Sequence, residues 1–270
     1  MTTRIVEEGQ QSAPSSMLST TRPRKGSYQL YYVYGEMLKL LRDPGVIIFG
    51  LCFPSLFFLL FANAFGAEKT ALVAQYSAYG MFGIAFQTLS TIIAAERNRG
   101  WNRLLRTTPI TVPLYLTAKC IVIVLTGLLS MVLLGLVSFF LEGVRIDPAH
   151  WGLLVLFMVG GLIPFALAGL CLGYLGTPTQ SSLISTVVTL FLSFTSGLFI
   201  PLRFMPDFIR AVAPFLPTYH LGQLAWYAVG SPAVDQSPVW LHILILAGFA
   251  VVFAILAGLA YRRDEQSNYI

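Results

Sequence analysis

The chain has 270 residues, of which 56% are hydrophobic and only 11% are charged, and its mean hydropathy is +0.73. Because about 25% of the residues in a soluble globular domain are charged, this composition excludes a soluble protein and indicates an integral membrane protein. The net charge of +5 does not indicate nucleic-acid binding, since the basic residues flank apolar runs, where they orient helices in a bilayer.

Two segments precede the first apolar run. Residues 1–27 are polar, rich in Ser, Thr and Gln, and lack the apolar stretch of a signal peptide, so we predict a disordered cytoplasmic tail. Residues 28–45 carry polar side chains, among them Glu36 and Lys39, at helical spacing on an otherwise apolar surface. They predict an amphipathic helix in the inner membrane interface or, alternatively, a cytoplasmic helix packed on the protein itself.

Six apolar runs are long enough to cross a bilayer, for which a helix needs about 20 residues. They cover approximately residues 46–65, 73–95, 114–141, 151–175, 181–200 and 241–261. We therefore predict a six-helix transmembrane domain over residues 46–261 and a cytoplasmic C-terminal tail over residues 262–270. The second and fifth runs contain the most polar side chains, which either line a pathway or bond within the helix bundle.

Lys and Arg residues are distributed unevenly between the two ends of these runs. Thirteen of the 17 lie before the first run, between the second and third or at the near end of the third (Lys119), or after the sixth. Because cytoplasmic loops carry an excess of basic residues, we expect a multi-pass protein of the cytoplasmic (inner) membrane with both termini in the cytoplasm. Lys119 then lies near the inner end of the third run, within snorkelling reach of the interface.

The segment between the fifth and sixth runs is apolar but contains Pro201, Pro206, Pro214 and Pro217. Proline breaks a helix, so this segment cannot form one continuous span. We expect short re-entrant helices that dip into the outer leaflet and cap the outer end of a pathway. The candidate residues of this outer gate are Phe199, Pro201, Phe204, Pro206, Pro217 and Tyr219.

The loop between the second and third runs is charged and has helical spacing. Read as a helix over residues 97–108, it has an apolar side and a basic side. The apolar side comprises Trp101, Leu104, Leu105 and Thr108, and the basic side comprises Arg99, Arg103 and Arg106. Glu96 at its start is a candidate partner for Arg97, for Arg99 or for a residue of the first helix. Such a segment suits docking in a groove of a partner protein, or alternatively lies on anionic lipid with Trp101 as an anchor.

Two motifs resemble those of a known family. The residues Glu96-Arg97, Gly100-Trp101, Leu104-Leu105 and Thr108-Pro109 are similar to the cytoplasmic motif of ABC-2 type transporter permeases. The stretch from Ser196 to Pro201, followed by Met205-Pro206, Pro214 and Leu216-Pro-Thr-Tyr-His220, is similar to the family's segment after the fifth span. The number of spans, the first helix and the length agree, and the resemblance covers about residues 28–265.

The resemblance implies an all-α membrane protein of the ABC-2 (type V exporter) fold, with six transmembrane helices, an N-terminal interfacial helix, a cytoplasmic coupling helix and re-entrant outer helices. It implies two permease subunits in a homodimer, surrounded by membrane lipids, and two copies of a separate nucleotide-binding ATPase subunit that binds ATP and Mg²⁺. The implied coupling residues are Glu96, Arg97, Arg99, Gly100, Trp101, Arg103, Leu104, Leu105, Arg106, Thr108 and Pro109. The absence of a large extracellular insert favours the drug, antibiotic or lipid exporter type.

The resemblance also implies that the first, second and fifth spans border the pathway. Its candidate lining residues are Tyr76, Tyr79, Phe86, Gln87, Ser90, Thr189, Ser193 and Phe194. This lining is apolar with hydroxyl and amide groups, and it suits a lipophilic or amphipathic substrate better than a small ion.

Other functions have less support in the residues. The chain lacks a Gly-x-x-x-x-Gly-Lys-Ser/Thr loop, so we expect neither ATP hydrolysis by that chemistry nor a cofactor in this chain. The three Cys and three His residues show no disulfide or metal-ligand spacing. A secondary transporter usually places ionisable groups at membrane depth, and the runs carry none at their centres. A non-transporting scaffold and an intramembrane enzyme are further alternatives.

Overall fold

The structure, a computed structural model, describes residues 25–64, 68–100 and 112–267. Within these residues the regular backbone is helical throughout, and the predicted tail over residues 1–27 lies almost entirely outside them. In chain order the α-helices are α1 (Lys25–Leu41), α2 (Phe53–Phe61), α3 (Lys69–Gly83), α4 (Leu89–Asn98), α5 (Val112–Glu142), α6 (Pro148–Gly161), α7 (Ile163–Leu175), α8 (Pro178–Thr195), α9 (Asp207–Val212), α10 (Pro217–Ala228) and α11 (Val239–Ser267).

Four stretches of the described chain are long and apolar enough to cross a membrane. They are Lys69–Asn98, Leu114–Glu142, Pro148–Leu175 and Val239–Asp264. These stretches match the second, third, fourth and sixth predicted runs to within a few residues. The last helix continues without a break through Arg262 and Arg263 to Ser267.

The first and fifth predicted runs differ from the other four. The apolar helix Val46–Phe61 is too short to count alone, and it lies at 91° to the preceding helix Tyr31–Leu41, so that the two count together as one bent candidate span. Helix α8 has 18 residues, rich in Ser and Thr, and does not reach the apolarity of the other four. The described residues thus contain four candidate spans, or five with the bent pair, and the total of six stays a prediction.

Two π-helical segments interrupt the elements that face each other at the centre of the molecule. One is Val46–Cys52, which precedes α2, and the other is Ile84–Thr88, which joins α3 to α4. The hydroxyl of Ser130 in α5 donates a 2.9 Å hydrogen bond to the carbonyl of Gly50 in the first segment. A neighbouring helix thus provides a hydrogen bond to a backbone carbonyl of the widened turn. Backbone polar groups in a membrane interior require such partners within the protein.

Glycines allow α7 to pack very closely on the second span. A Cβ atom on Gly169 would lie 2.6 Å from the backbone oxygen of Phe86, and one on Gly173 would lie 2.9 Å from that of Ser90. The small-residue spacing in α7 therefore serves packing within one subunit.

The proline-containing segment after α8 folds into short helices. Gly197, with φ +82°, ends α8 in the left-handed region, and the N–H of Phe199 returns to the carbonyl of Ser193. The 3₁₀ turns Leu202–Phe204 and Ala213–Phe215 flank α9, and α10 follows. Helix α10 is buried along most of its length and packs against α3, α6 and α11.

The packing at Gly169 predicts a difference between two glycines. Gly169→Ala is expected to lower the stability by roughly 1–3 kcal/mol, because its Cβ would overlap backbone that cannot move aside. Gly160→Ala in α6 is the matched control, since a Cβ there would meet no described atom within 4 Å, and it should be neutral or stabilise by up to about 1 kcal/mol. Thermal unfolding of the purified protein in detergent measures both changes. Equal shifts in the two variants would contradict the close approach.

Candidate functional site

A cleft of about 630 Å³ lies between the π-helical segment before α2, the second span and helix α8. This volume is within the range of small-molecule sites, which is roughly 300–1,000 Å³. Its lining comprises Asp43, Gly45, Val46, Phe49, Gly50, Phe53, Tyr79, Gly80, Gly83, Ile84, Gln87, Thr88, Thr91, Ile92, Ser182, Thr186, Thr189 and Leu190. Aromatic and aliphatic side chains make up one part of the wall, amides and hydroxyls another, and Asp43 is the charged member of the set.

The polar wall of the cleft is partly bonded and partly free. Gln87 Nε2 donates a 2.7 Å hydrogen bond to Thr186 Oγ1, which in turn donates to the carbonyl of Ser182 at 2.8 Å. Thr189 Oγ1 is buried and has no hydrogen-bond partner among the described residues. Thr189 therefore brings an unpaired hydroxyl to the wall of the cleft.

An aromatic cluster lies next to the cleft, around Phe199. Its ring centroid is 4.4 Å from that of Phe57, 4.4 Å from that of Phe194 and 5.8 Å from that of Tyr79. The hydroxyl of Tyr76 donates a 3.2 Å hydrogen bond to the Phe199 carbonyl. Tyr79 therefore belongs both to the wall of the cleft and to the aromatic cluster.

The predicted pathway residues thus separate into three groups. Tyr79, Gln87 and Thr189 line the cleft. Tyr76 and Phe194 belong to the aromatic cluster. Phe86, Ser90 and Ser193 are buried and do not line the cleft.

The predicted outer-gate residues do not form one group either. Phe199 is the centre of the aromatic cluster, whereas Tyr219 is buried and donates a 2.8 Å hydrogen bond to Asp235 Oδ2. Pro217 is buried at the start of α10. The remaining three, Pro201, Phe204 and Pro206, lie around the 3₁₀ turn and are half-buried or exposed.

At the other end of the second span, Lys119 lies between two carboxylates. Its Nζ atom is 2.5 Å from Glu36 Oε2 in α1 and 2.5 Å from Glu96 Oε1 in α4. Tyr115 donates a 2.5 Å hydrogen bond to Glu96 Oε2, and the Lys119 ammonium lies 5.4 Å from the centroid of its ring. Lys119 is only 3% exposed, so it is paired inside the protein and does not extend to an interface. We name Glu36, Glu96 and Lys119 the ionic triad.

Arg97 has a different set of partners from its neighbour Glu96. Its guanidinium donates hydrogen bonds to the carbonyls of Tyr174 and Gly176 at the end of α7 and lies 3.5 Å from Asp264 in α11. An arginine is favourable at a helix C-terminus, where carbonyls lack partners within the helix. Glu96 therefore pairs with Lys119. The contact between Glu96 and Arg97, one of the options that the sequence left open, is not formed among the described residues, because Arg97 binds α7 and Asp264.

The predicted coupling segment is only partly described. Glu96, Arg97, Arg99 and Gly100 lie within the described residues, whereas Trp101, Arg103, Leu104, Leu105, Arg106, Thr108 and Pro109 lie outside them. Helix α4 continues to Asn98, and Gly100 has a φ of +73°. The expectation of one helix over residues 97–108 is therefore wrong at its start, because the left-handed glycine ends the helix that contains Arg97.

Two histidines that are distant in sequence meet at the far end of the bundle from the triad. His220 Nδ1 and His242 Nδ1 are 2.8 Å apart, and His220 Nε2 lies 2.9 Å from the carbonyl of Pro214. His242 Nε2 is 3.3 Å from Asp235 Oδ1. Because a carbonyl only accepts, His220 Nε2 carries a proton, and in its neutral form His220 accepts from His242 at Nδ1. The rings bond to each other, and no group of three potential metal ligands that could hold an ion occurs within the described ranges.

Sequence reasoning missed several of these residues. Lys119 and Glu36 were recognised as polar positions on separate elements, but nothing in their spacing brings them together. Thr186 is one of several polar residues inside the fifth run and Asp43 is one of the polar positions of the first helix, but nothing in the sequence distinguishes either from its neighbours. Thr186 could have been identified as the partner of Gln87 only if the packing of the two helices had been known.

The described helices and this cleft define a multi-pass α-helical integral membrane protein with a site between its spans. A family model described as ABC-2 type transporter matches residues 30–230, and the chain belongs to this family. Membership implies the membrane subunit of an ABC transporter, which works with an ATPase partner and is not itself the enzyme.

Two similar proteins carry matching names. The chain is 27% identical to the transport permease YvfS of Bacillus subtilis over 237 residues, which cover 85% of this chain and 95% of that protein. It is 32% identical to the multidrug ABC transporter permease YbhS of Escherichia coli K12 over 183 residues, which cover 64% of this chain and 46% of YbhS. The second match therefore spans less than half of the relative.

The histidine pair predicts a pH-dependent stability. Burial, together with the neighbouring His242, holds the pKa of His220 below its usual value, whereas in the unfolded chain that pKa is about 6.5. The neutral ring therefore stabilises the folded protein above about pH 6.5, and this stabilisation is lost as the pH falls. The melting temperature of the wild type should drop more steeply between about pH 7.5 and about pH 5.5 than that of His220→Gln. His150→Gln, at an exposed histidine, should keep the wild-type slope, and an unchanged slope in His220→Gln would contradict the assignment.

Proposed function

We propose that this chain is the transmembrane permease of an ATP-driven exporter in the cytoplasmic membrane. Two copies form a homodimer, and each binds one ATPase subunit through residues 96–109. ATP and Mg²⁺ bind to that partner, and both termini of the permease face the cytoplasm. The cleft between the first apolar helix, the second span and α8 takes up a lipophilic or amphipathic substrate and releases it past the proline-containing outer segment.

The observation that carries this proposal is the continuity of the second span. It begins at Lys69, provides Tyr79 and Gln87 to the cleft, and ends at Asn98, within the proposed docking segment that starts at Glu96. A displacement of that segment by a partner would therefore act directly on a helix that lines the cleft. The family membership supports the ATPase as that partner.

The lining of the cleft supports the substrate class. Phe49, Phe53 and Tyr79 provide apolar contact, Gln87 and Thr189 provide hydrogen-bonding groups, and Asp43 provides one negative charge. A site of this kind suits a molecule with a large apolar part and few polar groups. The name of YbhS, a multidrug permease, is consistent with this class.

Docking on residues 96–109 is tested by replacing its apolar side. Trp101→Asp/Leu105→Asp should weaken assembly with the candidate ABC ATPase by about 2 kcal/mol or more, roughly thirtyfold in affinity, because buried aromatic anchors dominate such interfaces. Co-purification of the complex and ATP-dependent uptake of ethidium into inside-out vesicles are measured.

The conservative variant Trp101→Phe/Leu105→Met is the matched control and should assemble normally. If the aspartate variant assembled and transported like the wild type, the docking role would be refuted. Ethidium uptake by the permease alone, without ATP or the ATPase, would instead indicate a secondary transporter.

Transport through the cleft is tested at Thr189. Thr189→Leu should reduce ethidium uptake by roughly tenfold, since it removes the free hydroxyl and adds volume to the wall. Thr195→Leu makes the same change on the same helix away from the cleft, where the Thr195 hydroxyl donates to carbonyls of its own helix, and should leave uptake within about twofold of wild type. Gln87→Leu should resemble Thr189→Leu. Full transport by both cleft variants would exclude this lining.

A further inference from the structure

The ionic triad is the most deeply buried charge cluster that the described residues show outside the cleft. Lys119 is 3% and Glu36 4% exposed, and the side chain of Glu96 is 15% exposed. One ammonium is shared by two carboxylates, and Lys39 adds a second cation at 2.6 Å from Glu36 Oε1. Burying three charges is costly even when they are paired, and apolar side chains of similar size would hold the helices together at least as well. Stability alone therefore does not explain the triad.

The triad connects three elements of the described chain, namely α1, α4 and α5. Glu36 belongs to α1, which lies at 91° to the helix that follows it. Glu96 is in the last turn of α4, four residues before the left-handed Gly100. Lys119 is in the early turns of α5, just after the residues that the structure does not describe. Glu96, at the start of the proposed docking segment, is therefore tied to α1 through Lys119, which follows that segment in the chain.

The contact between Glu36 and Lys119 is directional in a way that apolar packing is not. Ion pairs with hydrogen-bond geometry keep one relative orientation, whereas apolar surfaces in a lipid environment slide at low cost. Helix α1 leads directly into the π-helical segment that lines the cleft. A movement of Glu96 would thus reach the cleft by two routes, along the second span and through Lys119 to α1.

We propose that Lys119 is a positioning residue that transmits the movement of the docking segment to α1, so that both walls of the cleft move together during export. This inference rests on the proposed function. It assigns to Glu36 and Lys119 a role in coupling ATP hydrolysis to transport, in addition to holding the fold.

The test variant is Glu36→Gln in the reconstituted complex of permease and ATPase. It replaces the ion pair between α1 and Lys119 by at most a neutral hydrogen bond to the amide oxygen, and it leaves Lys119 paired with Glu96, so it buries no unpaired charge. The amount of assembled complex and its ATP hydrolysis should stay within about twofold of wild type, whereas ethidium transported per ATP hydrolysed should fall by about tenfold, a usual size for coupling between two sites. A role in folding alone would reduce the amount of complex and would not change this ratio.

Two further variants sharpen the result. Lys119→Arg retains a cation that can bind both carboxylates and should keep the transport ratio within about threefold of wild type. The double variant Lys69→Met/Glu142→Gln removes a different ion pair, in which Lys69 Nζ lies 2.8 Å from Glu142 Oε2 at the far end of the bundle. It is the matched control and should keep the wild-type ratio.

The outcomes separate the two proposals. A wild-type ratio in Glu36→Gln, or an equal loss in Lys69→Met/Glu142→Gln, would overturn the role of the triad while the proposed function stands. Loss of assembly in Glu36→Gln would also overturn it, because the contact would then serve folding. If the wild-type complex itself showed no ATP-dependent ethidium uptake, the proposed function would fail and this inference with it.

Discussion

Lys119 has its ammonium between the carboxylates of Glu36 and Glu96, and the end of the bundle near the charged loop is organised around that contact. In a chain with so few charged residues, a charge placed away from water must find a partner within the protein. The helices that provide those partners are held at one relative position. Arg97 has the same effect on α7, whose terminal carbonyls it satisfies.

The cleft is found where the helices are least regular. The π-helical segments Val46–Cys52 and Ile84–Thr88 face each other across it, and each replaces part of a regular span. A widened turn displaces the side chains that follow it. Its backbone carbonyls can accept hydrogen bonds from neighbouring helices, as the Gly50 carbonyl does from Ser130. The opposite side of the second span is closed instead, because Gly169 and Gly173 bring α7 into contact with its backbone.

Much of the fold could be predicted from the pattern of hydropathy. Four spans agree to within a few residues because about 20 apolar residues in a row have few alternatives to a helix in a bilayer. The first and fifth predicted runs do not qualify as spans by themselves, and each has a physical reason. The first apolar helix is short and strongly bent from α1, and α8 exchanges apolarity for the Ser and Thr side chains that face the cleft. Of the candidate lining residues, Tyr79, Gln87 and Thr189 lie on the cleft, while Phe86, Ser90 and Ser193 are buried elsewhere, because a polar-tolerant helix has more than one protein-facing side.

The sequence by itself determined the class of the molecule, the approximate extent of its apolar helices and the family to which its motifs belong, since composition and periodicity act locally along the chain. Only the tertiary structure decided which polar side chains meet. Glu36 pairs with Lys119 across 83 residues of sequence, and His220 bonds to His242 across 22. Such pairs depend on how helices pack and rotate against each other, and that arrangement is set by the sum of many small contacts that no single segment encodes.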